Sequence, residues 1–452
     1  METATYTNPI RSHDVPDPDA IALSGGGYAL VASSFERRPG LPLWYSDDLV
    51  DWVPAGFAGG YALALHESGG VWAPSIREHD GRLWITWADP DRGVFAVDAP
   101  TLGGPWSGPR LLLAGPGPID PCPFWDDDGR TWIVHGWARS RAGFANRLDV
   151  VEVDRQLTHA LSAPRVLIDG DAIEGCTVLE GPKLYRRGAE LWLFAPAGGV
   201  ETGWQYAFRA PSLDGPWEGR IVLEQGSTAV NGPHQGAWVI GQNGEEWFLH
   251  FQHTPAHGRI LHLQPLAWGE DGWPHLGAAV DGGPPEPVSE WRRPTSAPPA
   301  AVPPTSSIGQ WHARGADPTE IVVSFEAERI QLVAGGCLAR PLDARSQRIE
   351  ITLSAGNGKF SLLGERARTL RIADGRVTVS DGGGESESGV VAALPARVGA
   401  EFDCDRARFL VSGEPLGGWF ALAPSQWTGV EFAIAACGPE RAVFERLSVV
   451  LS

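Results

Sequence analysis

A short pattern returns five times in the first 280 residues: a turn containing glycine, then an aromatic side chain, then a β-rich run. Apolar and polar positions alternate in each copy, which indicates a strand entered through a tight turn. The copies are GGGYALVAS, DGRLWITW, DGRTWIVHGW, RGAELWLFAP and NGEEWFLHFQ, with marker aromatics Tyr28, Trp84, Trp132, Trp192 and Trp247 at steps of 48 to 60 residues. This period is typical of a β-propeller, so we predict an all-β fold that begins with a five-bladed β-propeller.

Composition and turn signals divide the rest of the chain. Residues 281–308 are rich in proline, serine and alanine, which predicts a linker or an extended strap after a propeller at 1–280. Residues 309–452 alternate short β-rich runs such as QRIEITLS and GVEFAIAAC with turn signals such as SDGGGESESG. We therefore predict a C-terminal β-sandwich over 309–452. A β-sandwich over the first 280 residues is disfavoured, because it would not produce a sequence repeat at this regular spacing.

Net charge and composition limit the classes of molecule that the protein is expected to bind. The net charge of −19 argues against nucleic acid and anionic membranes and favours a neutral oligosaccharide as the partner. No apolar run approaches membrane-spanning length, and the N-terminus lacks a basic region followed by an apolar run, so we expect a cytoplasmic location. Five scattered cysteines fit a reducing compartment and show no zinc signature. Of the 20 tryptophans, most are expected to fill the core, although flat indole faces also suit sugar rings.

One residue in each repeat stands at a nearly constant offset from the marker aromatic. The strand before each glycine turn should be the innermost one, whose side chains face the central channel. Taken singly, an Asp beside proline is an ordinary turn former and a lone His is an ordinary core residue. Their shared offset favours a common site at one mouth of the channel. The five residues, 11 to 13 positions before their markers, are Asp17, Trp72, Asp120, Glu180 and His234.

Three of these five residues are carboxylic acids, and hydrolysis of a glycosidic bond uses carboxyl groups as its acid and its base. One acid must donate a proton to the leaving oxygen, while another carboxylate activates a water on the opposite face of the sugar. Crowding three acids raises at least one pKa, so that one of them stays protonated near neutral pH.

The segments around these residues resemble glycoside hydrolase family 43, the β-xylosidases and α-L-arabinofuranosidases. The resemblance covers residues 8 to about 277. The matching segments, in order, are NPIRSHDVPDPDAI, SSFERRPGLPLWYSDDLVDW, GGVWAPSI, GPGPIDPCPFWDDDG, LEGPKLY, GPHQGAW and GRILHLQPLAWGEDGWP. The segment HGWARSRAGFAN, residues 135–146, fits a branch that we associate with mixed xylosidase and arabinofuranosidase activity.

The resemblance implies a five-bladed propeller that inverts configuration and releases single terminal pentoses, β-D-xylose or α-L-arabinofuranose. Asp17 would be the general base and Glu180 the general acid. Asp120 would stay ionised and orient Glu180, raising the pKa of that acid. The resemblance implies sugar contacts for the side chains of Phe35, Trp72, His234 and Arg259.

The resemblance also implies a structural calcium ion in the channel, held by waters and a histidine such as His234. The sequence has no dense set of oxygen ligands that demands calcium, and no cofactor is required for the chemistry. Three alternatives remain at this point. They are a non-catalytic sugar-binding propeller, an endo-acting arabinanase, and a retaining enzyme of the invertase group. The last is disfavoured because Asn8 precedes Pro9 directly and the chain has no Arg-Asp-Pro.

Overall fold

The computed structural model describes residues 4–58, 70–241, 243–296, 311–314, 322–326, 329–332, 334, 336–343, 345–364, 366–381, 385–403, 405–422, 430–437 and 441–451. The predicted all-β class is confirmed, because strands dominate these residues. The helices in this part are a single turn, α1 (Arg139–Ala142), and a 3₁₀ turn at Gly170–Ala172. None of them has the length and apolar character to span a bilayer.

The N-terminal part holds 23 of the strands. In chain order they are β1 (Thr5–Thr7), β2 (Asp19–Ala22), β3 (Tyr28–Val31), β4 (Arg37–Arg38), β5 (Pro42–Ser46), β6 (Trp52–Phe57), β7 (Trp72–His79), β8 (Arg82–Asp89), β9 (Gly93–Ala99), β10 (Arg110–Ala114), β11 (Pro118–Trp125), β12 (Thr131–Trp137), β13 (Arg147–Val153), β14 (Arg165–Asp169), β15 (Lys183–Arg187), β16 (Glu190–Ala197), β17 (Trp204–Ala210), β18 (Glu218–Leu223), β19 (His234–Ile240), β20 (Glu246–Thr254), β21 (Gly258–Trp268), β22 (Pro274–Leu276) and β23 (Glu290–Arg292).

The C-terminal part holds the others. They are β24 (His312–Arg314), β25 (Val322–Glu326), β26 (Arg329–Leu332), β27 (Cys337–Pro341), β28 (Ser346–Ala355), β29 (Gly358–Leu363), β30 (Arg368–Ala373), β31 (Arg376–Ser380), β32 (Glu385–Val391), β33 (Ala396–Asp403), β34 (Arg406–Val411), β35 (Glu414–Ala421), β36 (Glu431–Ala436) and β37 (Ala442–Leu451).

Five antiparallel four-stranded sheets follow one another along the N-terminal part. Their orders are β2-β3-β5-β6, β7-β8-β9-β10, β11-β12-β13-β14, β15-β16-β17-β18 and β19-β20-β21-β22. The first strand of one sheet lies against the next sheet: β2 contacts β7, β7 contacts β11, and β11 contacts β15. The fifth sheet contacts the fourth through β16 and returns to the first through β2.

The repeated aromatics fill the space between these sheets. Tyr28, Trp84, Trp132, Trp192 and Trp247 all lie on the second strand of a sheet and are buried. Each adjacent pair of sheets shares its own cluster of buried apolar side chains, including the pair formed by the fifth sheet and the first. The repeated pattern in the sequence therefore reflects five equivalent apolar cores between the sheets.

The chain takes a left-handed backbone conformation once at the entrance to each first strand. Positive φ angles occur there at Asp17 (51°), Ala73 (34°), Asp120 (58°), Gly181 (59°) and Gln235 (34°). This conformation is strained for most residues other than glycine, and it changes the local direction of the chain. The register of strand pairing shifts at three of these places. The five residues predicted from their common offset therefore lie at equivalent strand entrances, but their positions differ by one residue. Asp17 and Asp120 occupy the left-handed position, whereas Trp72, Glu180 and His234 precede it.

The C-terminal strands form a seven-stranded sheet, β25-β26-β37-β28-β33-β34-β35, and an eight-stranded sheet, β32-β31-β30-β29-β36-β27-β24-β4. One apolar cluster draws on both sheets, with Phe360 and Ile434 from one and Ile349 and Phe409 from the other. The last strand of the larger sheet, β4, comes from the N-terminal part of the chain.

The segment predicted as a linker or an extended strap, residues 281–308, pairs with the N-terminal part where it is described. Strand β23 pairs with β1, from Thr5 opposite Arg292 to Thr7 opposite Glu290. Glu286 bridges to Ala278 just upstream. This proline-rich stretch still offers carbonyl and amide groups to its neighbours, so residues 285–293 belong to the N-terminal part. Residues 297–308 of the predicted linker lie outside the described residues.

Candidate active site

A cavity of about 320 Å³ opens where the entrances to the first strands meet. Three of its lining side chains are the predicted acids Asp17, Asp120 and Glu180, which come from the first, third and fourth sheets. Phe35, Trp72 and Arg259 also line it, so six of the seven predicted site residues share one cavity. The remaining lining residues are Ala73, Ile119, Trp137, Ala138, Arg139, Ser140, Ala145, Val178 and Gln235.

Asp17 is buried and held by two partners. One carboxylate oxygen pairs with the guanidinium of Arg259, and the other accepts a hydrogen bond of 2.6 Å from the Ser33 hydroxyl. The same hydroxyl accepts from the amide of Ala73, which ties the first sheet to the second. These two partners fix the orientation of the Asp17 carboxylate.

Asp120 is buried beside the Glu180 backbone. Its carboxylate accepts a hydrogen bond of 2.7 Å from the amide of Gly181. Burial raises the pKa of Asp120 well above its ordinary value, and the nearby carboxyls of Glu180 and Asp17 raise it further. The Gly181 amide and the Lys183 ammonium oppose this rise. The pKa of Asp120 stays raised because desolvation outweighs those two stabilising partners, and the ionised state implied by the resemblance stays a prediction.

Glu180 stands at the cavity wall, and its side chain is 22% exposed. Its carboxylate lies 2.9 Å from Nε2 of His234. His234 is fully buried and is not among the residues that line the cavity, and its sugar contact stays a prediction. The imidazole fixes where the Glu180 carboxyl points.

Aromatic rings enclose one side of the cavity. Phe35 and Trp72 meet edge to face with centroids 5.9 Å apart. The guanidinium of Arg259 lies 5.5 Å from the Phe35 ring and 4.9 Å from that of Phe251. Such contacts keep the rings and the guanidinium in place without filling the cavity.

A second set of charges lies deeper, on the first strands below the acids. Lys183 is fully buried, and its ammonium donates to the Ser75 hydroxyl at 2.6 Å and to the carbonyl of Pro74 at 3.1 Å. It lies 4.0 Å from the carboxylate of Asp19, which also pairs with Arg77 at 2.6 Å. No sequence pattern singles out Lys183, since a lysine in LEGPKLY is typical of a solvated strand residue.

Several other lining residues carry no signal of their own in the sequence. Trp137, Arg139 and Ser140 fall in the segment 135–146, whose resemblance to one branch of the family concerns the segment as a whole. Helix α1 brings the exposed Arg139 to the rim. Gln235 is adjacent to a predicted residue, and only its backbone conformation would have identified it.

The calcium ion that the resemblance implies would be held by waters and His234. Among the described residues, no group of three His, Cys, Asp or Glu side chains is placed to hold a metal ion. The imidazole of His234 already contacts Glu180, and calcium prefers six to eight oxygen ligands. No catalytic step is therefore derived through calcium.

Comparison with known proteins fits this geometry. The profile of glycosyl hydrolases family 43 matches residues 6–274, more than half of the chain. The chain belongs to glycosyl hydrolases family 43. Among solved family 43 structures, a Bacillus licheniformis protein, BlXynB, has a TM-score of 0.81 at 21% identity and covers 99% of this chain and 100% of its own. A xylan β-1,4-xylosidase from Bacillus halodurans has a TM-score of 0.77 at 22% identity, covering 98% and 99%. At these identities the likeness shows a shared fold.

Two curated relatives are closer in sequence to this family 43 chain. A putative β-xylosidase of Xylanibacter ruminicola is 42% identical over 305 residues, covering 65% of this chain and 54% of the relative. A non-reducing end α-L-arabinofuranosidase of Bacteroides ovatus is 30% identical over 303 residues, covering 60% and 54%. The chain thus spans about half the length of the curated relatives that it matches.

Proposed function

We propose that this chain is an exo-acting, inverting glycoside hydrolase that releases terminal β-D-xylose or α-L-arabinofuranose from xylan- or arabinan-derived oligosaccharides. The observation that carries the proposal is the meeting of Asp17, Asp120 and Glu180 around one cavity of about 320 Å³. A non-catalytic sugar-binding protein would need the aromatic walls but not three acids, one of them with a raised pKa.

We also propose that the five four-stranded sheets are the blades of a five-bladed propeller. In this propeller the first strand of each sheet surrounds the channel, and the catalytic residues lie at the entrances to these strands. The two larger sheets with their shared core are taken as a C-terminal β-sandwich.

In the proposed reaction Asp17 is the general base. Its carboxylate pairs with Arg259 and is oriented by Ser33, so it is placed to take a proton from a water that attacks the anomeric carbon. Single displacement requires that this water fit between the base and the sugar, on the face opposite the leaving oxygen.

Glu180 is the proposed general acid, because its carboxyl is the one that combines exposure at the cavity wall with a fixed direction. The carboxyls of Glu180 and Asp120 lie close enough to interact, and the proximity of Glu180 contributes to the raised pKa of Asp120. Glu180 would deliver a proton to the leaving oxygen as the glycosidic bond breaks, and Asp120 holds the adjacent backbone through Gly181.

Exo action is favoured by the walls of the cavity. Phe35 and Trp72 close one side, and the segment that contains Trp137 and Arg139 lies on another. An endo-acting arabinanase needs an open groove across this face. The relatives named above as a β-xylosidase and a non-reducing end α-L-arabinofuranosidase also favour release of a terminal pentose.

The leading test compares leaving groups. We expect Glu180→Gln to lower kcat/KM on a xylo- or arabino-oligosaccharide by about 10²- to 10⁴-fold, the range of general acid catalysis. The loss should be much smaller on a 2,4-dinitrophenyl pentoside, whose leaving group needs little protonation, whereas Asp17→Asn should impair both substrates. Glu190→Gln, in the same sheet but away from the cavity lining, is the matched control.

The stereochemistry is checked by proton NMR of the first-formed sugar. Inversion predicts α-xylose from a β-xyloside or β-arabinose from an α-arabinofuranoside. Retained configuration would contradict the single displacement. If the wild-type protein binds pentosides but hydrolyses none of them, the chain is a sugar-binding protein instead.

A further inference from the structure

The active-site segment that carries Phe35 is physically part of the C-terminal sheet. Two residues after Phe35 strand β4 begins, and it pairs antiparallel with β24 through Arg38 opposite Ala313 and Arg37 opposite Arg314. The Phe35 backbone also bridges to Val71. The cavity wall is therefore held from two sides, one of which belongs to the C-terminal part.

A buried carboxylate of the C-terminal part reinforces this connection. Glu431, the first residue of β36, is fully buried and lies 2.7 Å from Nε of Arg37. His312 contacts the same Glu431 oxygen at 3.0 Å. Arg37 is itself buried, so this is an ion pair in a low-dielectric setting, where loss of one partner leaves an uncompensated charge.

The residue before Glu431 holds a second active-site segment. The amide of Val430 donates a hydrogen bond of 2.7 Å to the carbonyl of Ala256. Ala256 lies in the turn between β20 and β21, three residues before Arg259. Consecutive residues of the C-terminal part thus hold the segments that carry Phe35 and Arg259.

Asp14 completes the connection to the base. One of its carboxylate oxygens lies 2.8 Å from Nη2 of Arg37, and the other accepts a 2.8 Å hydrogen bond from the backbone amide of Arg259. Arg259 in turn pairs with Asp17. The chain of contacts runs from Glu431 through Arg37, Asp14 and Arg259 to the proposed general base.

We infer that Glu431 is a positioning residue, which acts through Arg37 and Asp14 to hold Arg259 and the Asp17 carboxylate in their reactive arrangement. The inference rests on the proposed function for its kinetic consequence, although the structural linkage itself does not. In this arrangement the C-terminal sheets complete the active site rather than standing beside it as an independent module.

The test replaces Glu431 by Gln in the full-length chain and uses Glu350→Gln as the matched control. Glu350 is also a buried glutamate paired with arginines, Arg348 at 2.9 Å and Arg397 at 3.0 Å, but it lies within the seven-stranded sheet. Both variants lose a buried charge of the C-terminal part, so general destabilisation affects both. Only Glu431→Gln breaks the route to Asp17.

We expect Glu431→Gln to lower kcat/KM about 10- to 100-fold, because a displacement of the order of 1 Å in a catalytic group has effects of that size. The loss should fall mainly on kcat, since the base acts in the transition state. Glu350→Gln should stay within about twofold of wild type. Arg37→Met should lose as much as Glu431→Gln, and the double variant Arg37→Met/Glu431→Gln should lose little more than Arg37→Met alone.

Hydrogen–deuterium exchange provides a readout that needs no turnover. Peptides covering 34–39 and 254–260 should exchange faster in Glu431→Gln than in wild type or Glu350→Gln. If wild type hydrolyses no pentoside, the proposed function fails while the exchange experiment still decides the linkage. Equal kinetics and equal exchange in Glu431→Gln and Glu350→Gln, or additive losses in the double variant, would overturn the inference.

Discussion

Replacing Asp120 by Asn should make this protein more stable at alkaline pH while impairing its proposed activity. The Asp120 carboxyl is buried, and its pKa is raised by burial and by the carboxyls of Glu180 and Asp17. In the unfolded chain the same group titrates near about 3.9. Its raised pKa favours folding below that value, and this stabilisation is lost as the pH rises through the folded-state pKa.

The magnitude follows from linkage. Each unit by which the folded-state pKa exceeds the unfolded one costs about 1.4 kcal/mol of stability at pH 8. Asn keeps the shape, accepts the Gly181 amide through its side-chain oxygen, and tolerates the left-handed backbone at this position. We therefore expect Asp120→Asn to gain stability at pH 8 by about 1.4 kcal/mol for each unit of that pKa difference, and to lose this advantage near pH 4.

Thermal denaturation from pH 4 to pH 9 measures this effect. Asp128→Asn, in the turn after the same strand, is the control: Asp128 is exposed, and its pKa is lowered by Arg130. We expect no gain from that change at pH 8. An Asp120→Asn variant no more stable than wild type at pH 8, or one whose advantage does not vary with pH, would refute the electrostatic account of this site.

Three further outcomes are expected. Arg259→Lys should lower kcat/KM tenfold or more in steady-state assays, because an ammonium keeps the charge beside Asp17 but cannot stack on Phe35; undiminished kinetics would count against a positioning role for the guanidinium. Phe35→Ala should raise KM for pentosides more than it lowers kcat, since it removes a cavity wall and leaves the acids; an unchanged KM would place the sugar elsewhere. Dialysis against EDTA should leave kcat unchanged within error, because both proposed proton transfers use side-chain carboxyls alone; a loss of kcat restored by calcium would contradict this.

The sequence was sufficient to predict most of the fold because its repeated aromatics have a repeated physical role. Each marker, such as Trp132 or Trp192, is buried on the second strand of a sheet and packs between two sheets. A common offset therefore led to the entrances of the first strands, and Asp17, Asp120 and Glu180 were found together. The family resemblance supplied Phe35 and Arg259, whose spacing alone carries no signal.

Long-range packing accounts for what the sequence did not reveal. Arg37 lies in a charged stretch, FERR, that reads as a solvated loop, yet β4 joins a sheet built from the other end of the chain. Its partner Glu431 opens a strand that looks like any other in the sequence. The direction of the Asp120 pKa shift was likewise beyond reach, because it depends on complete burial rather than on residue type.

The left-handed residue at each strand entrance also has a consequence for how such sites diversify. The same backbone turn presents an acid at Asp17 and Asp120, a methyl group at Ala73 and an amide at Gln235. One residue exchanged at a single sheet can therefore alter what faces the sugar while the surrounding framework is conserved. Asp, Asn and Gly adopt this turn at the least cost, which makes them the replacements most readily accepted there by selection or by design.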